Sequence, residues 1–248
     1  MEIISGLLAG GFIGAVLGFI GAGGAMLSVP ILLYIFDFTP QAATTAAIAV
    51  VLTAAISGLL PKIKSKEVLF KEASVIWALG LVTNIGFSII AHRLSDSVIT
   101  TGFALVLLSA GTAMLIKPVA GTEKKIPIIW LVVMSLVIGS MTGLFGIGGG
   151  FLAIPVLVLF FKVPQGKAAG TSLAIIAINS NTAFFGHYQN WSEVTWTVPI
   201  AMSIGAVIVA RFASIKSGQM NATILRKGFA FLLYSIAVFT LLETWVIA

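Results

Sequence analysis

Two glycine clusters stand inside an otherwise apolar chain: Gly21-Ala22-Gly23-Gly24 and Gly146-Ile147-Gly148-Gly149-Gly150. Each precedes a short apolar run, 25–36 and 151–161, too short to cross a bilayer. Glycine weakens a helix and bares backbone amides that lipid cannot satisfy. A helix that starts just after such a cluster directs free amides and its positive dipole end into the cluster. The chemistry this offers is anion binding. Close helix packing through small residues is the other use for glycine in lipid.

Polar side chains in apolar runs complete the candidate site. Thr44 and Thr45 open one long run, and Thr171 and Ser172 open another. Asn179 lies seven residues after Ser172, two turns on and on the same helix face. An amide in lipid needs a partner, so Asn179 is expected on a pathway; a hydroxyl can instead bond the preceding turn. The substrate-binding set is therefore Gly21, Gly23, Gly24, Thr44, Thr45, Gly146, Gly148, Gly149, Gly150, Thr171, Ser172 and Asn179. The carboxylates all fall in loops or near run ends, which argues against an acidic proton relay or a carboxylate cation site. His92 and His187 fall near run ends, and Arg211 either guides anions or anchors a helix end. No Gly-Lys-Ser/Thr follows the glycines, so they are not a P-loop. There is no cysteine, no His-Glu cluster and no readable nucleophile dyad. No catalysis, metal or cofactor is expected.

These residues need helices to hold them. Apolar residues make up 59% of 248 and charged residues 9%, against about 25% charged in a soluble domain. Such a composition cannot cover a water-facing surface, so the outer surface must face lipid. The net charge of +6 comes from short basic loops between apolar runs, not from a nucleic-acid patch. Long apolar runs fall at 3–20, 41–60, 73–92, 98–116, 127–145, 167–186, 194–212 and 226–247. The acidic start at Glu2 does not suit a signal peptide, so the first run is expected to remain as a helix.

The chain repeats itself. Residues 14–30 read GAVLGFIGAGGAMLSVP and residues 139–155 read GSMTGLFGIGGGFLAIP, 125 positions on. Ala43-Thr44-Thr45 corresponds to Ala169-Gly170-Thr171, and Gly102-Phe103 to Gly228-Phe229. The expected domains are a first repeat, 1–118, a cytoplasmic linker, 119–126, and a second repeat, 127–248. If each short run returns the chain to the side where its hairpin began, Arg93 alone departs from a common basic side. The fold class that follows is an all-α polytopic membrane protein of two inverted repeats. Each has a glycine-tipped helical hairpin plus three long transmembrane helices, with the tips near the midplane and both termini outside the cytoplasm.

The duplicated Gly-x-Gly-Gly with its following proline, and the Ala169-Gly170-Thr171-Ser172-Leu173 element, resemble the sulfite exporter TauE/SafE family. In the first half the likeness rests on Gly21, Gly23, Gly24, Pro30 and Ala43-Thr44-Thr45-Ala46, where alanines at Ala25 and Ala46 depart from the second-half pattern. The resemblance runs through both repeats. It implies transport of sulfite, sulfonates, related sulfur oxyanions or other small organic anions.

The resulting expectation is a secondary transporter of small anions, working as an exporter by alternating access in a prokaryotic plasma membrane. An anion channel and a membrane scaffold or assembly factor without transport are the alternatives. The partners expected are the anion and the lipid bilayer, with no nucleic acid; self-association into a homo-oligomer is compatible with the sequence.

Overall fold

The computed structural model describes residues 2–91, 94–116, 127–145 and 150–247. Arg93, His92, the glycines at 146, 148 and 149, and the linker 119–126 lie outside them. The described chain is helical throughout, with no strand among the described residues. Its first half comprises α1 (Glu2–Ile20), α2 (Gly24–Tyr34), α3 (Pro40–Lys64), α4 (Phe70–Ala91) and α5 (Asp96–Ile116). The second comprises α6 (Ile128–Phe145), α7 (Gly150–Phe161), α8 (Gln165–Gly186), α9 (Thr197–Ser217) and α10 (Ala222–Leu242), with a 3₁₀ turn at Tyr188–Glu193. Among the described residues, five segments are long and apolar enough to cross a membrane, in α1, α3, α5, α9 and α10. The protein is thus a polytopic membrane protein.

Local chemistry sets the boundaries. Thr39 caps α3, its hydroxyl accepting from the Ala42 amide at 3.4 Å, and Pro40 follows at the first helical position. Lys62 and Lys64 sit in the last turn of α3, where positive charge suits the helix dipole. Asn221 caps α10 through the Thr223 amide at 2.8 Å.

Small residues decide which helices meet. Gly6, Gly10, Gly14 and Gly18 make one ridge of α1, four residues apart. They lie in turn against Val198 and Ala201, Met202, Ala206 and Ala210 of α9, so α1 and α9 run in the same direction in close backbone contact. The pair α4–α6 repeats this, with Gly80 against Ser135 and Gly139, and Gly143 against Asn84. In contrast, α3 and α8 run in opposite directions: Thr45 lies by His187, Gly58 by Leu173, and Lys62 by Gly170. So do α5 and α10, since Trp245 donates to Thr101 at 3.1 Å while Thr112 meets Tyr234 at 2.6 Å. Exchanging the halves converts the pair α1–α9 into α6–α4 and leaves α3–α8 and α5–α10 unchanged.

The two ends of the molecule differ chemically. Gly170 packs on Lys62 and Glu67, and the Ser214 hydroxyl donates to the Gly58 carbonyl at 2.6 Å. These contacts gather the end of α3, the starts of α4 and α8, and the α9–α10 join at one end. Every described lysine and arginine belongs to these segments or to the adjoining end of α7: Lys62, Lys64, Lys66, Lys71, Lys162, Lys167, Arg211, Lys216, Arg226 and Lys227. The opposite end holds the Tyr34–Glu243 hydrogen bond and an aromatic group in which Phe184 stacks on Trp191 at 4.5 Å.

Candidate functional site

The first glycine cluster forms the turn between α1 and α2. Gly21 and Gly23 have φ of 82° and 91°, in the left-handed region where a side chain is strained. The Gly21 amide closes α1 on the Leu17 carbonyl at 2.8 Å, and the first bond of α2 runs from Leu27 to the Gly23 carbonyl at 3.2 Å. No side chain caps α2. Residues 21 to 24 are all buried. A helix N-terminus without a cap, with its first-turn amides directed into a buried turn, is an electropositive feature inside the protein.

The second cluster is described only at Gly150, which opens α7 and is buried. Its carbonyl accepts from the Ser172 hydroxyl at 2.6 Å, and a side chain on it would collide with Ile176. Gly21 packs against Ala169. Positions 169, 172 and 176 fall on one face of α8, as do 165 and 179. One face of α8 therefore touches both hairpins.

Gly21 and Gly150 touch this face at different heights. Ala169 is four residues into α8, about 6 Å from its start, whereas Ser172 and Ile176 are about 10 and 17 Å in. The 22 residues of α8 span about 33 Å. The second hairpin thus meets α8 near mid-height, and the first meets it closer to the basic end. The expected meeting of the two tips involves residues 146–149, which lie outside the described residues. Helix α1 is itself 19 residues long, enough to carry Gly21 almost across before the chain turns back.

A family model described as Sulfite exporter TauE/SafE matches residues 6–240. The chain belongs to that family. Among relatives is a probable membrane transporter protein of Xylella fastidiosa (strain Temecula1), 26% identical, covering 96% of this chain and 94% of its own. The probable membrane transporter protein YunE of Bacillus subtilis (strain 168) is also 26% identical, with 91% and 88% covered. MJ0441 of Methanocaldococcus jannaschii, a probable membrane transporter protein, is 31% identical over 44% of this chain and 43% of its own. No solved structure matches. The protein is a TauE/SafE membrane transporter.

Within this TauE/SafE transporter the predicted hydroxyls separate into different places. Thr171 turns away from the hairpins: its oxygen accepts from the Leu69 amide at 3.1 Å and donates to the Lys167 carbonyl at 2.7 Å. It pins the α3–α4 connection onto α8. Thr44 donates to Pro40 at 2.8 Å, and Thr45 to Gln41 at 2.9 Å, with His187 Nδ1 3.3 Å from Thr45. Both belong to the far end of α3, away from the basic end. Gly21, Gly150 and Ser172 meet on one face of α8, whereas Gly23 lies against Leu232 of α10 and Gly24 against Leu17 of α1; Asn179 lies farther along the α8 face and is half-buried.

Two features escape the sequence reading. Gln165, first residue of α8, is 4% exposed, and neither atom of its carboxamide has a hydrogen-bond partner. Following Pro164 at a helix start, it reads as a solvent-facing residue; only the packing of the chain around it shows otherwise. Lys62 reads as one of several loop cations, yet its side chain is 2% exposed and its ammonium meets Glu67 Oε2 at 2.8 Å. The Ser65 hydroxyl donates to the same oxygen at 3.3 Å.

Proposed function

We propose that this TauE/SafE protein is a secondary carrier that exports small anions, chiefly sulfite, sulfonates or related sulfur oxyanions. The observation that carries the reading is the buried, uncapped start of α2, led into by Gly21, which packs on the α8 face where Ser172 holds Gly150. Amides fixed in this way stabilise negative charge without a lysine or arginine at the site. Broken helices at a repeat interface serve substrate binding in several transporter folds.

Transport proceeds by alternating access between two inverted halves, 1–118 and 127–248, joined by the linker 119–126. The opposite directions of α3 and α8, and of α5 and α10, support this assignment, because each pair joins equivalent helices of the two repeats. The basic end faces the cytoplasm of a prokaryotic cell and the termini lie outside. A membrane potential of about 100 mV, negative inside, adds about 2.3 kcal/mol per charge to anion export. Export of this kind needs no coupling ion.

The test is electrical current from proteoliposomes after concentration jumps of sulfite, a short sulfonate, acetate and chloride. A saturable current selective for a sulfur oxyanion is expected, together with tracer counterflow. Asn179→Leu and Ser172→Ala, each checked for retained folding, should weaken apparent affinity. Current that never saturates would replace the carrier with a channel. Unchanged transport in both variants would move the site away from α8.

A further inference from the structure

A cavity of about 470 Å³ opens at the basic end, between the last turns of α3 and α9. Its walls include Lys62, Lys64, Glu67, Arg211, Ser214 and Ile215. Lys62 and Glu67 satisfy each other. Lys64 and Arg211 belong to no ion pair among the described residues and are exposed. The cavity therefore carries two uncompensated positive charges. The end of α3 does not cancel them with bare carbonyls, because Pro61, Lys62 and Ile63 accept from the amides of Ser65, Glu67 and Lys66. Nor is Ser214 available as a donor, its hydroxyl being held by Gly58.

The apolar side of this cavity is as informative as the charges. Leu60 and Ile215 line it and are 44% and 48% exposed. Beside them Ile63 and Phe212 are 39% and 67% exposed on the same two helices. Cations at the cavity and a bare aliphatic and aromatic wall next to it fit a ligand that is an anion at one end and hydrocarbon at the other. A free oxyanion of a few heavy atoms would leave most of the space to water and the wall unused. Basic pockets between membrane helices near the cytoplasmic surface are suited to phosphate head groups.

We infer that the α3–α9 cavity is a binding site for the phosphodiester head group of an anionic phospholipid, held by Lys64 and Arg211, with the acyl chains along Leu60, Ile63, Phe212 and Ile215. The inference does not rest on the anion-transport reading. Its ligand enters from the bilayer, and its cations lie beyond the α8 face that the hairpins touch.

The measurement is native mass spectrometry of the detergent-purified full chain, offered equal amounts of phosphatidylglycerol and phosphatidylcholine. Preferential retention of phosphatidylglycerol is expected. Each surface cation contributes about fivefold, so Lys64→Gln with Arg211→Gln should lower the preference by about thirtyfold. The charge-conserving pair Lys64→Arg with Arg211→Lys should retain it. If the double variant does not fold, each single glutamine variant should still lose about fivefold. Equal retention of the two lipids by the native chain, or an unchanged preference in the glutamine variants, overturns the assignment. Displacement of phosphatidylglycerol by excess inorganic phosphate also overturns it and makes the cavity a site for a free oxyanion.

Discussion

An ion pair with unequally buried partners responds unequally to loss of either one. The Lys62 side chain is 2% exposed, whereas that of Glu67 is 32% exposed. Glu67→Gln strands an ammonium away from water and should cost about 3 kcal/mol, at the lower end of values for broken buried pairs. Lys62→Met strands only a carboxylate that water can reach, so about 1 kcal/mol is expected after solvent screening. Thermal unfolding of the two variants in the same detergent gives the order; equal losses would mean that the buried ammonium finds a substitute partner. The burial of Lys62 is not legible in the sequence, because Lys62-Ile63-Lys64-Ser65-Lys66-Glu67 has the composition of a solvated loop. The glycines at 21 and 23 were legible, because positive φ and close approach limit the residue types a turn accepts. Thr171 and Ser172 show where such legibility ends. As neighbours about 100° apart on a helix they cannot both face the hairpins, and only the partner helices decide which one does.

The helix elements could be read with little loss, since apolar run length and glycine or proline punctuation fix them in lipid. Their partners could not. A ridge of glycines on α1 announces close packing but not against what. The structure supplies α9, with the Ala206 carbonyl where a Gly14 side chain would go. Gly14→Ala should therefore push α1 off α9 and reduce the amount of folded protein recovered, by fluorescence-detected size exclusion. Gly86 offers the control. It lies in the interior of α4, and a methyl group added there would meet nothing within 4 Å. Gly86→Ala should be tolerated and gain up to about 1 kcal/mol in helix propensity. If both variants behave alike, backbone contact does not hold α1 and α9 together. Helix α8 makes a related point. Its sequence reads as one more long apolar run, yet its first thirteen residues are mostly buried.

At the scale of the whole molecule, neither half has a core of its own. One hydrophobic cluster combines Ile13, Leu32 and Val50 with Leu173, Met202 and Ala206; the other combines Phe103 and Leu107 with Ile154 and Phe229. Residues 1–116 expressed alone should fail to accumulate as folded protein. The same segment made together with 127–248 as a second chain should copurify with it, tested by affinity capture through a tag on either one. Independent folding of the first segment would contradict the interlocked core. The repeat itself was visible because its glycines and prolines keep their spacing. The exchange of partners between repeats was not, because pairing across so long a stretch leaves no local pattern.

That exchange has a consequence for the order of synthesis. Gly10 and Met202, which meet across α1 and α9, are separated by 192 positions, counted as 202 less 10. At about 5–20 residues per second, a ribosome needs roughly 10–40 s to make that interval. Through all of it α1 has its glycine ridge against lipid or against the insertion machinery. The nascent chain must therefore hold a gap open for a late arrival, and the synthesis of α9 sets when the protein can first become whole.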